Sequence, residues 1–175
     1  MSKKIIISGR PGIGKTTVFK KVVDKLRSHN YNVIGFYCPE ARYKGSRIGF
    51  RIISLDNAVE EWLAHVSNCS GPRIGKYRVC YSAGKVAEYV AGKISEADIL
   101  AIDEIGPMEL KLPSTRKVIV EMLKTSKPGL YVVHYRLSDV EIVRLLADST
   151  KYIINEYNRG SIADRIFNKI VDLLR

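Results

Sequence analysis

Gly9, Gly12 and Gly14 stand ahead of Lys15, Thr16 and Thr17 in the run Gly9-Arg10-Pro11-Gly12-Ile13-Gly14-Lys15-Thr16-Thr17. The spacing is G-x-x-x-x-G-K-[ST], the P-loop pattern. A polyphosphate needs many hydrogen-bond donors at short range and no side chains in the way. Glycines let the backbone take turns closed to other residues, so its N–H groups can wrap an anion. A helix starting near Lys15 adds its unpaired N–H groups and the positive end of its dipole. Lys15 reaches the β- and γ-phosphates, and the Thr16 hydroxyl is a ligand for Mg²⁺. The alternative, a structural glycine-rich turn, leaves Lys15 and the threonines without a role.

A phosphate-bound metal needs a second oxygen ligand. The stretch Ile99-Leu100-Ala101-Ile102-Asp103-Glu104 is an apolar run ending in two carboxylates. Strand C-terminal ends are where open α/β sheets bind ligands. Asp103 is the expected partner of Thr16 on Mg²⁺. Glu104 either orients and deprotonates an attacking water or caps the following turn. An Asp-Glu pair there favours hydrolysis over transfer to a bulky acceptor, because it provides a place for water.

These residues need a scaffold, and the hydrophobic pattern supplies one. Residues 3–8 read as a buried strand, and residues 16–30 as a helix with Val18, Phe19, Val22, Val23 and Leu26 on one face. Strands follow at 32–38 and 47–55, with Arg42 to Ser46 as the turn between them, and a short one at 76–81. A helix is expected from Ala83 to about Ala97, then the acidic strand 98–104 and a helix near 114–126. After the strand 129–135, Ser138 and Glu141 form a capping-box pattern for a short helix. A last strand at 151–155 precedes a C-terminal helix with Ile162, Ile166, Phe167, Ile170 and Leu174. Apolar strands alternating with amphipathic helices predict a mostly parallel α/β sheet covered on both faces. The region 36–55 is expected to be an antiparallel hairpin extension. No repeat or linker divides residues 1–175, so one domain is expected.

Composition narrows the class. With 46% hydrophobic and 27% charged residues, the chain is ordinary for a globular protein. The apolar run after the basic start is too short for a secretory signal, and no run approaches a membrane span. A cytoplasmic protein without membrane contact is expected. Cys38, Cys69 and Cys80 form no C-x-x-C pair, which predicts reduced thiols. His29, His65 and His134 show no zinc spacing. The net charge of +11 suits a polyanionic ligand, a nucleotide or nucleic acid. No basic block or aromatic-interleaved motif marks a nucleic-acid face, and nothing in the sequence marks a subunit interface, so a monomer is expected.

The blocks "GRPGIGKTT", "GFYCPEARYKGSRIGFRI", "RIGKYRV", "IDEIGPMEL" and "NEYNR" together make the chain resemble the nucleoside-triphosphatase family first described from thermophiles, which includes a cancer-related nucleoside-triphosphatase. The resemblance spans nearly the whole chain. It implies a P-loop NTPase core similar to RecA-like ATPases and nucleotide kinases. It also implies Mg²⁺-dependent hydrolysis of ATP, GTP and other nucleoside triphosphates, with weaker action on diphosphates. By that resemblance the segments from Gly9 to Thr17 and from Ala101 through Ile102, Asp103, Glu104 and Ile105 to Gly106 face the nucleotide.

Five further residues are secondary candidates. Arg42 and Arg47, in the second block, either stabilise charge on a transferring phosphoryl group or belong to a solvated basic hairpin. Asn158 and Arg159 follow the last strand, where nucleotide-kinase-like folds place the base; they contact it or simply form a loop before the helix. His134 either senses the γ-phosphate or satisfies local hydrogen bonds. Trp62 reads as a packing residue. Two other functions use the same loop: a nucleotide or nucleoside kinase, which needs an acceptor pocket and a lid, and a nucleotide-dependent RNA- or DNA-binding switch.

Overall fold

The computed structural model describes residues 2–175. Strand β1 (Lys4–Ser8) leads through the glycine loop into α1 (Lys15–Ser28). Next come β2 (Val33–Tyr37), β3 (Glu40–Tyr43), β4 (Ser46–Ser54), β5 (Glu60–His65), β6 (Arg73–Ile74) and β7 (Tyr77–Val79). Helix α2 (Gly84–Ala91) precedes β8 (Ile99–Ile105), α3 (Pro107–Lys111) and α4 (Pro113–Lys124). The chain closes with β9 (Gly129–Val133), α5 (Val140–Leu145), β10 (Thr150–Ile153) and α6 (Ile162–Leu174).

One sheet runs in the order β10-β1-β9-β8-β2-β4-β5-β7-β6, with β3 paired to β4. From β10 to β2 every pairing is parallel; from β2 onward every pairing is antiparallel. Alternation along β1 sorts the core. Ile5 and Ile7 join the apolar cluster under α1 and α6, while Ile6 joins the cluster under α2, α4 and α5. Helix α1 buries Val18, Phe19, Val22, Val23 and Leu26, the stripe its periodicity predicts. Each such side chain contributes about 1.5–3 kcal/mol by leaving water, so Leu26→Ala is the sort of change that loosens the helix from the sheet.

The parallel half matches the α/β expectation, but the extension is larger than a hairpin. β3 takes in Arg42 and Tyr43, where the sequence pattern predicts a turn, and β5 and β6 lie outside the predicted strands. β3 is short and largely exposed, and β5 opens with two glutamates, so neither shows an apolar run. Helix α2 ends at Ala91, and a separate 3₁₀ turn covers Ile94–Glu96. The cap of α5 is Asp139 and not Ser138: the Ile142 N–H donates to the Asp139 carboxylate at 3.1 Å, while Glu141 turns away to Arg116 and Lys124.

The expectation of three reduced cysteines is corrected. Cys69 and Cys80 are disulfide-bonded, and Cys38 alone is free. The Gly71 N–H donates to the Val79 carbonyl at 3.0 Å and the Val79 N–H to the Pro72 carbonyl at 2.9 Å. That narrow loop brings the two Cα atoms within 4.8 Å of each other, inside the span a disulfide bridges. Partners eleven residues apart across a hairpin leave no short-range spacing motif.

Candidate active site

The C-terminal ends of β1, β9, β8 and β2 share one edge of the sheet, and the glycine loop rises there. Gly12 and Gly14 have φ of 75° and 108°, in the left-handed region that L side chains resist. Gly14 caps α1 with no side-chain hydrogen bond, so the first-turn N–H groups remain available to an anion. Lys15 Nζ donates to the loop's own carbonyls, to Gly9 at 3.0 Å and Arg10 at 3.1 Å.

Strand β8 delivers the carboxylates. On a regular strand successive side chains point to opposite faces, yet Asp103 and Glu104 both line one cavity of about 580 Å³ in front of the loop. The register explains this: Asp103 pairs with Val132 and Ile105 with Val133, leaving Glu104 as the extra residue of a bulge. Such an insertion re-aims a side chain. Because β9 lies between β1 and β8, its end places His134 between the loop and the acids.

The cavity brings together Pro11, Gly12, Gly14, Lys15, Thr16, Asp103, Glu104, His134 and Arg47 from widely separated parts of the chain. Other predicted residues lie elsewhere. Ala101, Ile102 and Ile105 are fully buried in the sheet and position the acids from within it. Ile13 is buried under the loop. Gly106 is buried at the centre of the acidic group; a Cβ there would sit 3.0 Å from Glu109 Oε2 and 3.4 Å from Glu104 Oε1. Thr17 is exposed beside Thr16. Arg10 points away from the cavity and pairs with Glu156.

The two hairpin arginines separate. Glu40 binds both, Arg42 at 2.9 Å and Arg47 at 2.5 Å. Arg42 also donates to the Gly45 carbonyl and does not line the cavity. Arg47 lines it, with its buried Nε lacking a partner among the described residues. Asn158 uses its amide inside its own loop, and Arg159 is exposed outside the cavity.

Reading the sequence missed Glu109, which α3 folds back into the site. Pro107 at the first helical position fixes that short turn, and Glu109 ends only 6% exposed. The only sequence signal was a carboxylate five residues past Glu104. Phe50, Ile74 and Met108 form the apolar far wall, with Arg136 beside them.

Burial sets the electrostatics. It raises the Asp103 carboxyl to about 6, against a hydrogen bond from Thr16 and the charges of Lys20 and Lys15. Glu104 is raised to about 7 by burial, with Lys15 pulling down and Asp103 pushing up. Glu109 is raised to about 8 by burial, reinforced by the charges of Glu104 and Asp103. Burial and the charges of Lys15 and Arg136 lower His134, which is neutral near pH 7. The Thr16 hydroxyl and Asp103 carboxylate converge as two hard oxygen donors. That set fits Mg²⁺, which takes one or two protein oxygens and completes its shell with phosphate and water.

The chain is similar to known proteins over most of its length. The model of a family described as NTPase matches residues 4–167. Nucleoside-triphosphatase THEP1 of Hyperthermus butylicus is 45% identical over 172 residues, covering 97% of this chain and 92% of that protein. The protein of the same name from Sulfurisphaera tokodaii is 41% identical, covering 98% and 97%. Among solved structures, THEP1 from Aquifex aeolicus superimposes with a TM-score of 0.82 at 25% identity, covering 95% of this chain and 98% of that one. A human cancer-related nucleoside triphosphatase superimposes with a TM-score of 0.78, also at 25% identity, covering 97% of each.

Proposed function

Because the chain belongs to the NTPase family, we propose that it hydrolyses nucleoside triphosphates to diphosphate and phosphate in this cavity, with Mg²⁺ as cofactor and broad tolerance for the base. The observation that carries the reading is the bulge in β8, which turns Glu104 into the same cavity as Lys15 and Asp103. A carboxylate raised to about 7 is tuned to take a proton near neutral pH.

The loop amides and the start of α1 bind the phosphates. Lys15 exchanges its two loop carbonyls for β- and γ-phosphate oxygens. Thr16 and Asp103 would hold Mg²⁺, which when bound would supply positive charge against the phosphates. Glu104 orients a water against the γ-phosphorus and accepts its proton. The O–P bond to water forms as the bond to the bridging oxygen breaks, and that electron pair leaves on the diphosphate. Arg47 brings a guanidinium to the γ-phosphate side. His134, neutral, offers a ring nitrogen to the same oxygens.

The test is phosphate release from ATP, GTP, CTP and UTP, with and without Mg²⁺ and with an RNA oligonucleotide added. Release from all four, abolished by EDTA and indifferent to RNA, is expected. Transfer of label from the γ-position to a nucleoside or monophosphate faster than phosphate appears would replace hydrolysis with a kinase reaction.

A further inference from the structure

Lys15, Arg47 and Arg136 all line the main cavity, and the first two are already engaged. Lys15 donates to the loop carbonyls, and Arg47 is bound by Glu40. The acids of the cavity are taken as well: Glu40 holds Arg42 and Arg47, Glu104 faces His134, and Glu109 is buried. Arg136 is left without a carboxylate partner among the described residues. Its charge and that of Lys15 both act on the His134 imidazole, so two like charges share one small space. That arrangement is unfavourable until an anion comes to lie between them.

The sheet decides which part of the anion Arg136 meets. β9 lies between β1 and β8, so the chain leaving it passes between the glycine loop and the Asp103–Glu104 pair. There its backbone is tied down. The His134 N–H donates to the Ile105 carbonyl at 3.0 Å, and the Leu137 N–H to the His134 carbonyl at 3.0 Å. The Arg136 N–H donates to His134 Nδ1 at 3.1 Å. The side chain, by contrast, is exposed and loosely held. Its guanidinium lies over the Tyr135 ring, 5.2 Å from the centroid, and that ring stacks on His134 at 4.6 Å. An aromatic face holds a guanidinium without cancelling its charge, and at an exposed rim the hold is weak enough for a phosphate to win.

We propose that Arg136 contacts the γ-phosphate and sets the preference of the site for triphosphates over diphosphates. The proposal rests on the preceding assignment of the triphosphate to this cavity. The loop amides and Lys15 hold the β-phosphate whichever nucleotide is bound. Only a γ-phosphate extends past Lys15 toward Glu104, to where the segment after β9 crosses. Arg47 approaches from β4, on the other side of β8, and keeps its bond to Glu40. Arg136 gives up only a ring contact. Its planar fork matches two oxygens of a terminal phosphate. A diphosphate ends short of that fork and gains nothing from it.

Calorimetry with the full chain and Mg²⁺ tests this, using the β,γ-imido analogue of ATP beside ADP. Arg136→Ala, at an exposed position on the cavity rim, should weaken the analogue on the order of tenfold, the low end for a charge-assisted contact. ADP affinity should stay at the parent value. Arg136→Lys, which keeps the charge, should recover affinity for the analogue. Unchanged analogue affinity in Arg136→Ala would overturn the assignment. So would an equal loss for ADP, which would show a general field in place of a γ-phosphate contact. Failure of the phosphate site itself registers separately: Lys15→Ala would then bind both nucleotides as tightly as the parent.

Discussion

His134 Nε2 lies 4.0 Å from Glu104 Oε1, joining the end of the strand between the loop and the acids to the side chain best placed to handle water. The site shifts the two in opposite directions. Glu104 is raised to about 7 and His134 is lowered, so near neutral pH the imidazole is uncharged while the carboxyl is passing into its basic form. A base must be deprotonated to act, so kcat/KM should rise with pH through about 7. Glu104→Gln should lower kcat by on the order of a hundredfold, the scale of a lost general base, and abolish that rising limb. Binding of the ATP analogue should hardly change. Pre-steady-state phosphate release across pH 5–9 measures all of this; a variant with parental kcat would remove Glu104 from the reaction.

Lys15 donates to the Gly9 and Arg10 carbonyls, and in the proposed reaction it exchanges them for phosphate oxygens. Lys15→Ala removes a charge from beneath two phosphates and leaves those carbonyls to water. Its affinity for ATP should fall on the order of tenfold to a hundredfold, as expected for a charge-assisted contact. Thermal stability should fall only slightly, because the lysine is near the surface. Calorimetry and a melting curve on one preparation separate the two effects.

Glu40 holds Arg42 and Arg47 by one carboxylate, yet only Arg47 lines the cavity. Arg47→Ala should therefore lower kcat by on the order of a hundredfold to a thousandfold, the cost of removing a donor aimed at developing charge. Arg42→Ala breaks exposed contacts worth little, and its kcat should stay within about threefold. Steady-state kinetics of the two variants decide between a role in the reaction and a solvated basic hairpin.

How much of this was legible in the sequence depends on the range of the forces involved. The glycine loop, the stripe of α1 and the apolar acidic strand are local patterns, and they stand where they were expected. Glu104 was identified by type, but its reach into the cavity depends on the bulge opposite Val132 and Val133, a register fact set by another strand. Glu109 and Phe50 enter the site through folding of α3 and β4, which no spacing announces. β3 and β5 were missed because their pairing is supplied by β4 and not by their own apolar residues. Asn158 reads in the sequence as either a base contact or part of a loop without ligand; its side chain bonds backbone groups that only the folded turn brings near.

Glu109 is a buried carboxyl raised to about 8 from an ordinary 4.5. The sign of its effect on stability follows. Folding retains a proton the unfolded chain releases, so this contribution is fully present below about pH 4.5 and is lost as pH rises through about 8. Glu109→Gln has no proton to lose. The difference in Tm between variant and parent should therefore grow in the variant's favour from pH 5 to pH 9. Asp103 and Glu104 shift in the same direction and repel a charged Glu109, so the difference reports Glu109 together with that repulsion. Parallel Tm curves would show that the residue is paired with a charge and not held neutral.

The Cys69–Cys80 disulfide closes a short loop at the far edge of the antiparallel half, with Cys80 buried and eleven positions separating the two. In the chain-entropy account, a loop of that size restricts the unfolded state by about 3 kcal/mol. For a domain of this length each kcal/mol moves Tm by about 2–4 °C, so reduction should lower Tm by roughly 6–12 °C. Ile74 of the closed loop lines the cavity, but Lys15, Asp103 and Glu104 stand on the parallel half, so reduction should move KM for ATP more than kcat at 25 °C. Cys69→Ser should reproduce the lowered Tm without reductant and make the protein insensitive to it. Thiol titration in denaturant gives a direct count: one reactive sulfhydryl in the oxidised protein, from Cys38, and three after reduction. Three before reduction would mean the bond does not form in solution, and the Tm difference would then vanish with it.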